Sequence, residues 1–343
     1  MATSSNQPVN PDDSLPPVEP PSAAFLVQLF LVPGIIVEII VCVWLAFHWL
    51  AHLGNDPQAY VCTLRRANEG RWQAALNLAN DLRGPNGSGL KADAKLASEL
   101  GSILDDEVGS GRTGEQSETL RLYLCRALGE FTVPEAAPAL VRRVNENNDD
   151  PTTQAAIEAL AVLATNLQNA SRSFEDQDDV VVAVLATTTS TSARVRDACG
   201  FTLGVLGGEK SIEGLLRLMG DSSTDVRSNA ALGLARLGQT DAYETLSEML
   251  SLKDISLDEK VPSDKIQSER YKRALVVVNA LRGVTMLVDA TSQAPPTDTI
   301  KLIKELQKDP VAEIRSSASA VIKKINRIAG LAFGTTINVP LMS

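Results

Sequence analysis

From Ala23 to Leu53 the chain is almost continuously apolar, and between Ala24 and Phe47 the strongly polar side chains are Gln28 and Glu38. About 20 such residues span a bilayer core, so the pattern predicts a single transmembrane helix over residues 23–53. Pro33-Gly34 divides the run. Either a long helix kinks there, or the helix proper begins near Pro33 after an interfacial lead-in. Residues 1–22 are rich in Pro, Ser, Asn and Asp with almost nothing to bury, and read as a disordered tail. A cleaved signal peptide would need a basic stretch ahead of the apolar run, and no Lys or Arg stands there.

The first positive side chains are Arg65, Arg66 and Arg71, within about 20 residues of the helix end, which predicts repeats on the cytoplasmic side and the N-terminus outside. Trp44 and Trp49 mark an interface near Leu50, where amphipathic rings favour the headgroup layer. Glu38 is costly near mid-bilayer and reads either as a protonated side chain in a plain anchor or as a contact with a partner's transmembrane helix. His48 and His52, the two histidines of the chain, lie one helical turn apart. No Cys or carboxylate on that turn completes a metal set, so no metal is assigned.

After the membrane segment the pattern changes to helical period. Residues 56–68 and 71–82 read as a helix pair with Gly70 in the turn, followed by a flexible run, 84–89, and a helix to about Asp106. Together 54–108 form a predicted cap region. A second break at 109–114 precedes a stretch, 115–328, in which the sequence repeats itself, and 329–343 is left as a C-terminal tail to cap the last repeat or dock on a partner.

The clearest unit is 225–238, DVRSNAALGLARLG. Segments 120–131, 152–164, 195–207 and 314–325 repeat it, with a weaker copy near 271–284 after an inserted loop, 253–265. Each copy sets a small residue one turn after the first apolar position and a larger aliphatic one turn further on. Second helices are predicted at 134–144, 209–219, 241–250 and 297–307. A lone hairpin cannot bury its apolar face, but stacked hairpins share one core, so the fold class is all-α, an α-solenoid of helical hairpins preceded by one transmembrane helix.

These units resemble the HEAT-repeat family in its bacterial form, similar to the repeats of phycobilisome lyases. Asp225-Val226-Arg227, Val195-Arg196-Asp197 and Ile314-Arg315 carry the family's hydrophobic-Arg signature, with an Ala-rich run and terminal Leu-Gly in the first two. The resemblance covers about two thirds of the chain and implies protein binding along an extended surface. Asp225 is expected to cap its helix, and Arg196, Arg227 and Arg315 to reach neighbouring carboxylates or carbonyls.

Composition sharpens this picture. Aromatics at 4% and a net charge of −10 favour close helix packing over sheet and argue against nucleic-acid binding. Cys42, Cys62, Cys125 and Cys199 show no CxxC spacing, two fall on packed helix faces, and reduced thiols are expected. The stretch Gly204 to Ser211 resembles a phosphate loop superficially, but Glu209 replaces the required glycine and a helix precedes it, so the glycines read as a turn. Glu175, Asp176, Asp178 and Asp179 lack the spacing of a calcium loop and read as a solvated helix start. Without a histidine beyond His52 the common hydrolase arrangements are unavailable to the repeats.

The sequence thus predicts a non-enzymatic, membrane-anchored scaffold or adaptor, with no cofactor, metal or small-molecule substrate. Its partners are other proteins, including a membrane complex, and the bilayer through 23–53. Arg142, Arg143, Arg217, Lys301 and Lys304 on the second helices are its candidate partner-binding residues, and Glu38 its candidate intramembrane contact. The alternatives are an accessory subunit of a transport or secretion complex and, third, a lyase-like enzyme.

Overall fold

The computed structural model describes residues 22–52, 57–66, 70–85, 87–146, 149–254 and 263–334. Residues 1–21 of the predicted tail, the middle of the inserted loop and the last nine residues lie outside the described residues. The chain divides into two compact units, with the boundary between Asp56 and Pro57.

The first unit contributes α1, Ala23–His52, one uninterrupted helix with Pro33 inside it. The helix therefore does not begin at Pro33. Every side chain from Val27 to Ala46 is exposed, Glu38 included, and this stretch is long and apolar enough to cross a membrane.

The second unit is entirely helical among its described residues. It runs α2 (Pro57–Arg65), α3 (Arg71–Arg83), α4 (Ser88–Lys91), α5 (Ala94–Gly109), α6 (Glu115–Gly129), α7 (Ala137–Glu146), α8 (Asp150–Asn169) and α9 (Gln177–Ala186). It continues through α10 (Ala193–Leu206), α11 (Glu209–Leu218), α12 (Thr224–Arg236), α13 (Tyr243–Leu250), α14 (Ser263–Thr291), α15 (Thr297–Leu306) and α16 (Ala312–Gly334). Short 3-10 turns introduce α7 and α13 and close α9.

Two layers result. Helices α3, α6, α8, α10, α12, α14 and α16 pack side by side in order, and α5, α7, α9, α11, α13 and α15 form the second layer. The layers interlock, since α5 lies on α6, α7 on α8, α9 on α10 and α15 on α16. This is the α-solenoid the repeats predict. In the segment read as the solenoid's N-terminal cap, α3 packs on α6, α5 on α7, and α2 on both α3 and α5. Part of the predicted flexible run is the short helix α4.

The sequence dictates the spacing of the layers. Buried positions are mostly Leu, Ala, Val and Ile, and among the described aromatic residues only Phe131 and Phe174 are core. Small side chains bring the first-layer helices to near backbone contact. At Gly204 of α10 a Cβ would stand 2.4 Å from the Gly233 Cα of α12, so these two helices cross glycine on glycine. Gly207 and Gly208 turn the chain from α10 into α11 at φ of 69° and 87°, a region that L side chains disfavour. The glycines of the apparent phosphate loop are thus a turn and a helix crossing.

Polar residues set the helix starts. Asp93, Asp149 and Asp176 each accept a hydrogen bond from the backbone N–H three residues on, at 2.9, 2.7 and 2.9 Å, each such cap stabilising by about 1 kcal/mol. Asp176 is thereby the N-cap of α9, which accounts for one member of the acidic cluster. The expectation for Asp225 fails: the N-cap of α12 is Ser223, and Asp225 sits in the first turn, where its charge faces the helix dipole. The inserted loop is also shorter than expected, because α14 already begins at Ser263 and runs through the weak copy for 29 residues. The buried thiols are Cys125 and Cys199, each pushed up to about 12 chiefly by burial.

Candidate partner-binding face

Three arginines of the repeat signature share one geometry. Arg196, Arg227 and Arg315 are each the fourth residue of a first-layer helix and donate from Nη1 to the carbonyl six residues back, on Ser190, Asp221 and Asp309, at 2.8, 3.0 and 2.7 Å. Each also donates to the next carbonyl, on Thr191, Ser222 and Pro310. The loop that enters each helix is therefore folded around the guanidinium of the helix it precedes.

The same loops hold the next link. Asp221 and Asp309 each accept from the backbone N–H two residues on, at 2.8 and 2.9 Å. Their carboxylates also take a bidentate arginine from the preceding repeat: Arg196 on Asp221 at 2.6 and 3.0 Å, and Arg273 on Asp309 at 2.5 and 3.2 Å. Hydrogen bonds from Arg196 hold the Asp221 carboxyl below the usual carboxylate range. At Asp309 burial pushes upward, but Arg273 and the Val311 N–H outweigh it and the carboxyl is again lowered. A third node closes the N-terminal end, where Glu107, almost wholly buried, takes Arg71, Arg112 and the Ser117 hydroxyl. These residues link one repeat to the next.

Asp221 and Asp309 were not singled out in the sequence. The signal that marks them is Asp followed six positions on by Arg, in 221–227 and 309–315, with Ser190 taking the Asp place before Arg196. Partnering across 25 and 36 residues cannot be read from either segment alone.

The predicted binding residues fall on three helices of the second layer and differ in kind. Arg142 and Arg143 of α7 both grip Asp105 of α5, at 2.5 and 3.1 Å, and Arg143 also reaches Glu146 at 2.9 Å. Arg143 is 6% exposed, so its charge holds α7 to α5 and is not presented to solvent. Arg142 remains exposed beside its carboxylate. Arg217 near the end of α11 is exposed, makes no ion pair among the described residues, and lines an open groove of about 420 Å³ with Thr188, Arg196 and Ser222. Lys301 and Lys304 lie one turn apart on α15, both exposed and without an ion pair among the described residues. The second layer also exposes Val182 of α9 and Leu216 of α11.

With this geometry in place the comparisons are specific. The family model described as HEAT repeats matches residues 179–257, from the first turn of α9 past the end of α13. The flanking hairpins, outside the match, continue the same two layers on either side of the HEAT segment. Among solved structures, the complex of CpcE and CpcF of phycocyanin lyase from Nostoc sp. PCC7120 is similar at 17% identity, covering 80% of this chain and 94% of that one with a TM-score of 0.45. Human deoxyhypusine hydroxylase in complex with glycerol is similar at 16% identity, covering 80% and 97% with a TM-score of 0.32. An engineered protein is similar at 17% identity, covering 80% and 98% with a TM-score of 0.34. No curated protein matches the chain.

Proposed function

We propose that the chain is a membrane-anchored scaffold: α1 spans the bilayer, and the HEAT array lies in the cytoplasm and binds protein partners along its second layer. The observation that carries this reading is the contrast in polarity between the two units. From Val27 to Ala46 large aliphatic side chains face outward on all sides of α1, a surface suited to lipid, whereas the array turns most of its described aliphatic side chains inward. The absence of Lys and Arg before Arg65 and their appearance just after the helix support a cytoplasmic array. Stacked repeats offer partners a long surface, and Arg217, Lys301, Lys304, Val182 and Leu216 provide polar and apolar points along it. In this reading the chain catalyses nothing.

A second reading, an accessory subunit of a membrane transport or secretion complex, is favoured by Glu38. A carboxyl facing outward among aliphatic side chains is costly in lipid and is relieved by a polar group on a neighbouring transmembrane helix. One experiment separates the two. The full chain and a version with α1 replaced by an unrelated transmembrane helix are tagged and recovered from gently solubilised membranes, and their partners are compared. A scaffold keeps its partners after the exchange; an accessory subunit held by Glu38 loses them, and Glu38→Leu alone reproduces the loss.

A further inference from the structure

Between α7 and the start of α9 lies a groove of about 340 Å³. Its floor is apolar, formed by Ala137 and Val141 of α7 with Phe174 and Val180 of the next repeat, all largely buried. Pro134 and Pro138 extend it along α7, so the wall follows one face of that helix from end to end. The rim is acidic: Glu175, Asp176 and Asp179 stand exposed on the α9 side. The basic residue of the lining is Arg142, and its guanidinium is already bound by Asp105 at 2.5 and 3.3 Å. Three carboxylates thus face an apolar trough, and among the described residues that line it there is no cation without an ion pair.

We propose that this groove receives a basic, aliphatic segment of a protein partner, with a branched side chain on the Val141–Phe174 floor and Lys or Arg side chains against Glu175 and Asp179. The inference rests on the scaffold reading and names the partner chemistry for one part of its surface. Charge complementarity selects the occupant: an acidic segment meets three like charges, and a purely apolar one leaves those carboxylates against its flanks, while a basic flank pairs with them. The chain's net charge of −10 draws such a segment in from a distance at low ionic strength. Asp178, the fourth acid of the cluster, is engaged elsewhere, by Lys210 at 2.9 Å.

The test uses the full chain in phosphatidylcholine nanodiscs, with empty nanodiscs subtracted. The probe is a fluorescein-labelled, C-terminally amidated peptide, Gly-Ser-Lys-Leu-Lys-Val-Arg-Ser-Gly, read by anisotropy. Its counterparts carry Glu in place of the basic residues, or Ser in place of Leu and Val. The basic probe is expected to bind, both counterparts to bind at least about tenfold more weakly, and Glu175→Gln with Asp179→Asn to weaken the basic probe by about tenfold. Asp176 is left intact because it caps α9. Glu213→Gln with Glu244→Gln, an equal loss of charge on exposed positions of α11 and α13, is expected to leave binding within about twofold. No binding of the basic probe, equal weakening by both charge pairs, or equal binding of the acidic counterpart overturns the proposal. The scaffold reading fails separately, if no partner follows the array in the helix exchange. If partners follow it and Glu175→Gln with Asp179→Asn retains them all, only the groove assignment falls.

Discussion

Among the described residues two helices are long and apolar enough to cross a bilayer, Val27–Ala46 within α1 and Asp264–Thr291 within α14, and they stand in opposite surroundings. The α14 helix has its apolar residues in period. Ala274, Val277, Ala280, Leu281, Val284, Leu287 and Val288 are buried against α12, α13 and α16, and its charged residues, from Asp264 to Asp289, keep to the remaining surface except Arg273, which is largely buried in its pair with Asp309. In α1 apolar side chains occupy every face, and all those from Val27 to Ala46 are exposed. Length and mean apolarity do not distinguish a core helix from a membrane span; the distribution of polar residues around the helix does.

The comparison is broken most severely by placing a carboxylate on each helix. Leu281→Asp puts an unpaired charge at a position 1% exposed and is expected to cost about 5 kcal/mol or more, abolishing the cooperative melting of the array in circular dichroism. Val37→Asp in α1 is expected to leave that melting unchanged and to move the chain from the membrane fraction toward the soluble one.

Next in size is the ion-pair ladder, which α1 lacks. Arg273→Met strands Asp309 in a site where both side chains are at most 9% exposed, and is expected to cost about 3–5 kcal/mol in chemical denaturation. Acid acts on the same groups. Asp221, Asp309 and Glu107 all have carboxyls held below the usual range in the folded array, so their stabilisation is present above about pH 4 and is lost as pH falls through the lowered folded values. A melting temperature that falls on acidification below about pH 4, with a smaller fall in Arg273→Met, is the expected result.

A smaller effect contrasts two glycines. Gly204→Val forces α10 from α12 and is expected to cost about 1–3 kcal/mol, whereas Gly34→Val in α1, with nothing within 4 Å of its Cβ position, leaves the array's stability unchanged.

What the sequence revealed and what it concealed follow the same physical line. Helix α12 was legible almost to its ends because its apolar period, arginine and closing Leu-Gly lie within one segment. Helix α9 was read only as an acidic start, because Val180 to Val184 is apolar without interruption and shows no helical period. The sequence reads the start of α14 as the end of the inserted loop, since Ser263 to Lys265 is polar and gains its helix from continuity with the buried stretch that follows. At the candidate face, Arg142 and Arg143 look equivalent in sequence. Their burial separates them, and Asp105, which fixes both, lies 37 and 38 residues away. Neither groove of the second layer was legible, because each is shaped by segments from successive repeats.

The proposed function requires that lipid cover α1, and the chain's own cysteines report on that cover. Cys42 lies in the outward-facing apolar stretch of α1, and Cys62 is exposed on α2. Intact membranes carrying the full chain are treated with a water-soluble maleimide and the modified cysteines are read by mass spectrometry, before and after dissolution in denaturing detergent. The account predicts that Cys62 is modified in intact membranes and Cys42 only after dissolution; modification of Cys42 as rapid as that of Cys62 in the intact membrane would contradict it.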